Sequence, residues 1–308
     1  MTSILIGEGG YREFELLSEA IEKRGGEPVM WDVTDWPSDV PVTYDIGRGT
    51  VTVEREFQFE EVSGVFPWTH QLFHMLSSRF ADEFESKGTM GLFFKLDQWR
   101  GVFSSLLAQF ERHGAAVFYP PWAQDYDELK PLQLEQFALE GVSVPETVFT
   151  TDPDRVREFV RAHGEVVYKP VALSTRPRRL SADDLGEAPL ERLSNAPVQF
   201  QEFVPGDDVR AFFLDGEVVG ASRYVTDEWT MKSAAEIDDA ESVALREEVR
   251  RDVERVARIS PMRFGAADLR ITDETHALLE VNPCPRFAFH DLNGATEVAD
   301  VLADCLVE

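Results

Sequence analysis

The sequence predicts an α/β protein whose C-terminal half is α+β. Three observations carry that class. Strand–helix–strand patterning opens the chain, Pro120-Pro121 divides it, and two turn-centred hairpins dominate the second half.

Ser3–Ile6 is a short apolar run that reads as a buried strand. Phe14, Leu16, Leu17 and Ile21 then hold helical spacing up to Gly25-Gly26, and Val29–Trp31 is a second strand. Strand, helix, strand implies a parallel sheet. Val40–Ile46 and Thr50–Phe57 form strands around Gly47-Arg48-Gly49, and Val62–Phe66 is another strand. Residues 71–112 read as mainly helical, with Leu96, Trp99, Phe103, Leu107 and Phe110 on one side. Ala116–Tyr119 runs into the two prolines.

Beyond them, helices are expected over Lys130–Glu140 and Pro153–His163, with strands at Thr147–Thr150 and Val166–Lys169. Residues 174–189 lack periodicity and read as a loop. Val198–Val204 is a strand entering Pro205-Gly206. Val209–Tyr224 is a hairpin around Asp215-Gly216. A charged helix over Ser242–Ile259 precedes a second hairpin, Ala266–Ile271 with His276–Val281, and Thr296–Leu306 closes the chain as a helix. The expected units are 1–120, 121–205 and 206–308.

Lys plus Arg number 30 against 57 Asp plus Glu, a net charge of −27 over 308 residues. A surface so acidic repels phosphate backbones and anionic lipid, which excludes non-specific nucleic-acid and membrane-surface binding. The hydrophobic fraction of 43% excludes a disordered chain. An acidic chain with six lysines suits a salt-loaded, halophilic cytoplasm, where screening removes self-repulsion. Cys284 and Cys305 make no disulfide framework, which fits a cytoplasmic protein. Neither a signal peptide nor a stretch of transmembrane length is expected.

Several motifs are weak. Gly7-Glu8-Gly9-Gly10 follows a strand, with Asp32 ending the next, as in a dinucleotide fingerprint; Arg12 stands where the third glycine belongs. His70 and His74 share helical spacing without a third metal ligand, and nothing marks a base for Cys284. There is no P-loop.

The chemistry gathers in the second half. Glu280 and Asn282 are two apart on a strand and share a face, and folding back from the turn near Asp273-Glu274 sets Asp268 opposite Glu280. Two carboxylates and a carboxamide offer hard oxygens to Mg²⁺ or Mn²⁺. Lys169 ends an apolar strand and suits nucleotide phosphates; Lys130 is a similar candidate. Gln199–Gly206 is a strand entering a Pro-Gly turn, whose backbone can read an adenine edge. Counting from Asp215-Gly216 puts Asp208 across from Arg223 and on the face of Arg210, an acid between two guanidiniums.

YKP at Tyr168–Pro170, QEFVPGDDVR at Gln201–Arg210 and GAADLRIT…ALLEVNPCPRF at Gly265–Phe287 resemble the nucleotide-binding half of the ATP-grasp superfamily. The nearest group is the RimK-like carboxylate–amine ligases. The first 120 residues resemble the pre-ATP-grasp domain of that group, with Trp31–Phe57 followed by Val62–Trp68 similar to the N-terminal region of the ligases that crosslink ribosomal peptides. The resemblance implies an ATP-grasp fold and an ATP-dependent ligase that joins a carboxylate to an amine through an acyl-phosphate, releasing ADP and phosphate. It implies that Lys130 and Lys169 bind phosphates, that Gln201, Glu202 and the backbone of Phe203–Val204 hold adenine, and that Asp208 meets the ribose. Asp268, Glu280 and Asn282 would bind Mg²⁺, while Arg210, Arg223 and Arg286 face the transferred phosphoryl group. Small-molecule or peptide substrates and a homo-oligomer are the implied partners. Residues Val171–Arg179 depart from the family's glycine-rich loop, and Asp227–Thr230 departs from its arginine-containing segment. These departures motivate an alternative, an ATP-binding regulatory or scaffold protein without ligase activity.

Overall fold

A computed structural model describes residues 1–33, 40–68, 80–120, 123, 126–172, 177–186, 190–225 and 239–308. The elements are β1 (Thr2–Gly7), α1 (Arg12–Lys23), β2 (Glu27–Asp32), β3 (Val42–Asp45), β4 (Thr50–Val53), β5 (Arg55–Gln58), β6 (Val62–Pro67), α2 (Ala81–Arg112) and β7 (Ala116–Val117). Next come α3 (Lys130–Leu139), β8 (Thr147–Thr150), α4 (Pro153–His163), β9 (Glu165–Pro170), β10 (Arg178–Ser181), β11 (Val198–Glu202), β12 (Asp207–Leu214) and β13 (Glu217–Val225). The chain ends with β14 (Asp239–Ser242), α5 (Glu247–Ile259), β15 (Phe264–Ile271), β16 (His276–Asn282), α6 (Ala288–Leu292) and α7 (Val298–Val307).

The opening strand–helix–strand unit gives the parallel sheet expected of it, in the order β2-β1-β6-β7. Ile4, Ile6 and Val65 meet the α2 residues Phe103, Leu107 and Phe110 in one core, while Leu5 and Phe66 meet the α1 residues Phe14, Leu17 and Ile21 in another. Each strand thus buries both faces, as a covered parallel sheet must. Helix α2 is interrupted at Gly88, whose φ of 70° lies outside helical values. The meander β3-β4-β5 has one more strand than the sequence pattern suggested, because Glu54 takes a φ of 60° and turns the chain after Val53.

The second half builds two antiparallel sheets, β10-β9-β11-β8 and β14-β13-β12-β15-β16. The expected loop over 174–189 is corrected in part: Arg178–Ser181 pair with β9 as β10, a strand too short and too basic to show periodicity. The helix expected from Ser242 starts at Glu247, because Asp239–Ser242 add an edge strand beside β13. Val249, Val253 and Val256 of α5 cover one face of the five-stranded sheet with Ala211, Leu269 and Val281. Helix α7 returns to the first sheet: Ser3 and Ser63 hydroxyls both donate to the Leu306 carbonyl, and a Cβ on Gly64 would overlap Leu306. No helix among the described residues is long and apolar enough to cross a membrane.

Candidate active site

The face of the five-stranded sheet turned away from α5 carries the polar residues. Asp208, Arg210 and Phe212 alternate onto it from β12, Asp268 and Arg270 from β15, and Glu280 and Asn282 from β16. Asp268 stands opposite Glu280, as the sequence predicts. The pairing needs one device that the counting did not contain. The register shifts between Asp268 and Leu269, so that Leu279 is an extra residue in β16 and Glu280 moves up beside Asp268.

The carboxylates are held by cations. Arg210 grips Asp268 with two parallel bonds, Nε to Oδ1 at 2.7 Å and an η-nitrogen to Oδ2 at 2.8 Å. Asn282 donates its amide nitrogen to the same Oδ2 at 2.8 Å, which leaves its carboxamide oxygen for another partner. Lys169 crosses from the neighbouring sheet and donates to Glu280 Oε2 at 2.6 Å, while Lys130 Nζ lies 3.6 Å from the same oxygen. Lys130 is buried and also bonds Asp127, through the backbone carbonyl at 2.7 Å and Oδ1 at 3.1 Å. Burial alone would raise the Glu280 pKa, but Lys169, Lys130 and Arg210 together hold it well below the usual carboxylate range. Burial likewise works against the charge on Arg210 and Lys130, and the carboxylates beside them more than reverse it.

Sequence reasoning missed Gln133 and Asp127. Gln133 is buried on α3, and its carboxamide takes both backbone groups of Val281: the Val281 N–H donates to Oε1 at 3.0 Å, and Nε2 donates to the Val281 carbonyl at 3.1 Å. Val281 lies between Glu280 and Asn282 on an edge strand, so Gln133 replaces the missing neighbour strand there. The signal was present. Lys130, Gln133, Leu134 and Phe137 make one buried helical stripe, and two of its four members are polar.

The first hairpin corrects the sequence reading. Asp208 does not face Arg223; Val209 does, because the register shifts between Phe212 and Phe213 and β13 carries Val219 as an extra residue. A one-residue slip turns a side chain to the other face. Arg223 therefore leaves the face of Arg210 and pairs with Asp207 at 3.0 Å and Glu241 at 2.6 Å. Asp208 pairs with Arg270 instead, at 2.7 Å. Ser222 and Tyr224 take the inner positions. His290 of α6 bridges them, Nδ1 to Ser222 Oγ at 2.6 Å and Nε2 to the Tyr224 hydroxyl at 3.3 Å. Burial, helped by Arg210, pushes the His290 pKa down to about 3.

Gln201 and Glu202 do not share a face. Gln201 lies opposite Val167, on the side of Lys169, and donates to Thr147 Oγ1 at 3.0 Å. Glu202 points to the α4 side, where its carboxylate accepts the Glu146 N–H at 2.9 Å and lies 3.6 Å from His163. The Phe203 N–H donates to the Glu165 carbonyl and the Val204 carbonyl accepts from Arg270 Nε, so part of this backbone is engaged. Gly206 makes the turn into β12, with a φ of 126° and Ile271 O too close for any Cβ. Arg286 lies apart from the ion pairs, over Tyr11 and Trp68. Arg176, His70, His74, Asp227–Thr230 and Lys232 fall outside the described residues.

The donor set fits a hard dication with a nucleotide. Two carboxylates and a carboxamide oxygen share one face, and among the described residues no three of His, Cys, Asp and Glu gather to hold a metal alone. Such a set would suit Mg²⁺ completed by phosphate oxygens. No family model matches the chain. It is 26% identical over 215 residues to a probable α-L-glutamate ligase of Teredinibacter turnerae, covering 65% of this chain and 70% of the relative. A glutathione synthetase of Thermosynechococcus vestitus is 34% identical over 100 residues, 28% of this chain and 30% of the relative. The structure matches that of the ATP-grasp ligase PsnB complexed with a phosphomimetic variant of a minimal precursor, Mg and ADP. The TM-score is 0.84, with 26% identity over 99% of this chain and 97% of the other. The chain thus has the fold of ATP-grasp ligases, is similar in sequence to RimK-like glutamate ligases, and is an ATP-dependent carboxylate–amine ligase.

Proposed function

We propose that this ligase uses Mg-ATP to activate a carboxylate on a peptide and joins it to an amine. The observation that supports a peptide is the closeness of the fold. The structure matches PsnB with a TM-score of 0.84, against 0.63 for a RimK-domain ATP-grasp protein of Sphaerobacter thermophilus that also aligns over the whole chain. PsnB has also been seen with a precursor peptide and a nucleotide analogue.

In this reading Asp268, Glu280 and Asn282 would hold the metal, which would supply positive charge against the nucleotide phosphates. Lys169 and Lys130 neutralise Glu280 in the absence of nucleotide and turn their ammonium groups to phosphate when it enters. Arg210 keeps Asp268 aimed and faces the transferred phosphoryl group. Gln201 and the backbone of Phe203–Val204 line the adenine side, while Asp208, fixed by Arg270, faces the ribose. No side-chain nucleophile is required: the chain positions two substrates and balances charge. The acidic surface supports placing the protein in a salt-loaded cytoplasm, with a melting temperature that rises with KCl.

The test is ADP release from Mg-ATP that depends on a glutamate-containing peptide and an amine, with a product one water lighter than the joined reactants per bond formed. Asp268→Asn and Glu280→Gln abolish both signals in this reading. Unchanged turnover in either variant would overturn the metal site.

A further inference from the structure

The first sheet has a feature that the proposed nucleotide site leaves out. Strand β1 is followed by α1 and then by β2 on one side, while β6 pairs on its other side. The chain thus leaves β1 and β6 in opposite directions, and the space beyond their C-terminal ends is a topological switch point, where open α/β sheets bind ligands. Tyr11 follows β1 and Trp68 follows β6 directly. Their rings meet edge to face at 5.0 Å, and Phe14 packs on Trp68 at 5.8 Å.

Onto this shelf the C-terminal half lays one side chain. Arg286, four residues beyond Asn282, holds its guanidinium 4.7 Å from the Tyr11 ring and 5.6 Å from the Trp68 ring. The two rings hold the guanidinium by cation–π contact, and Arg286 is exposed, so its N–H groups are open to a ligand. In a chain of net charge −27 most described arginines pair with a carboxylate; Arg286 pairs with none among the described residues. Glu13 is near enough to feel its charge, yet its carboxyl is buried and forms no ion pair with it. Trp68 is only 8% exposed, and its indole N–H has no partner among the described residues. A buried donor without an acceptor needs an explanation.

We infer that Arg286, with Trp68 and Tyr11, forms a receptor for a carboxylate of the acidic substrate, separate from the cations that neutralise the nucleotide. This deepens the proposed ligase reading and rests on it. The guanidinium fork matches a carboxylate in two parallel bonds, and the ring beneath it carries the unpartnered indole N–H as a further donor once a ligand uncovers it. The receptor selects substrates carrying acidic groups, and it replaces the role at the phosphoryl group that the family resemblance implied for Arg286.

The test measures binding of N-acetyl-pentaglutamate and of Mg-AMPPNP separately, by calorimetry, to the wild type and to Arg286→Gln, Arg286→Lys and Trp68→Phe. Loss of a charge-assisted bidentate contact weakens peptide binding about tenfold to a hundredfold in Arg286→Gln. Arg286→Lys falls between it and the wild type, Trp68→Phe loses a few-fold, and Mg-AMPPNP binding stays within about twofold throughout. Unchanged melting temperatures show that the variants fold. Peptide binding that survives Arg286→Gln, or a loss confined to Mg-AMPPNP, overturns the receptor. So does a wild type that binds Mg-AMPPNP but not the peptide, which leaves the ligase reading standing. A wild type that binds neither takes both down.

Discussion

The two hairpins of the five-stranded sheet use the same device with opposite results. In β12–β13 the extra residue Val219 turns Arg223 out of the site; in β15–β16 the extra residue Leu279 brings Glu280 beside Asp268. Both turns are plain from the sequence, and neither bulge is. Register counted from a turn therefore holds only as far as the first inserted residue. What identifies the inward face is the set of partners waiting there: Lys169 and Lys130 for Glu280, Arg210 for Asp268.

The largest effect is expected in the second hairpin. Glu280→Ala removes a proposed metal ligand and leaves the buried Lys130 and the half-buried Lys169 without their shared carboxylate. Stability should drop by about 3–5 kcal/mol, as for other broken buried pairs, and ADP release by about 100-fold or more. Denaturant unfolding and a coupled ADP assay measure the two separately. The pair also has a pH signature. The Glu280 pKa is depressed in the folded state, so its stabilisation is complete above the ordinary carboxylate pKa and is lost as pH falls through the folded value. The acid limb of the stability profile should flatten in Glu280→Gln.

Gln133 holds that hairpin's outer edge. Gln133→Leu orphans the N–H and C=O of Val281, each costing about 1–3 kcal/mol when buried. Because Val281 sits between two proposed metal ligands, the affinity for Mg-AMPPNP should weaken as well. A variant that melts earlier but binds Mg-AMPPNP as tightly as the wild type would make Gln133 a purely structural clamp.

On the inner face of the first hairpin, His290 is neutral and buried between Ser222 and Tyr224. Its pKa is depressed to about 3 from an ordinary 6.5. The unfolded chain therefore binds a proton that the folded chain refuses between those values, and folding weakens as pH falls through that window. The slope is about 1.4 kcal/mol per pH unit. Unfolding of His290→Gln at pH 6.5 and pH 4.5 should show a shallower loss than the wild type. An equal loss would mean that His290 titrates normally.

The legible part of the site was what period-two alternation and turn position decide: Asp268, Glu280 and Asn282 on one face, and Lys169 at the end of its strand. Alternation also argues against Gln201 and Glu202 acting together, since neighbours on a strand point apart, and the structure separates them. The parts that were not legible depend on packing between distant segments. Gln133 meets Val281 across 148 residues, and Lys169 meets Glu280 across 111. No local pattern carries such a pairing; the only trace is a polar residue on a stripe that should be apolar.

The smallest effect closes the comparison. Arg223 resembles Arg210 in sequence, both lying in the same hairpin, and the register puts them on opposite faces. Its partners Asp207 and Glu241 are about half exposed, and surface ion pairs of this kind are worth about 0–1 kcal/mol. Arg223→Ala should therefore lower stability by less than about 1 kcal/mol and leave ADP release within about threefold of the wild type. Arg210→Ala, which frees a half-buried Asp268, should lose most of the turnover. If Arg223→Ala instead matched Arg210→Ala, the two arginines would act on the same group, and the bulge at Val219 would have to straighten when substrates bind.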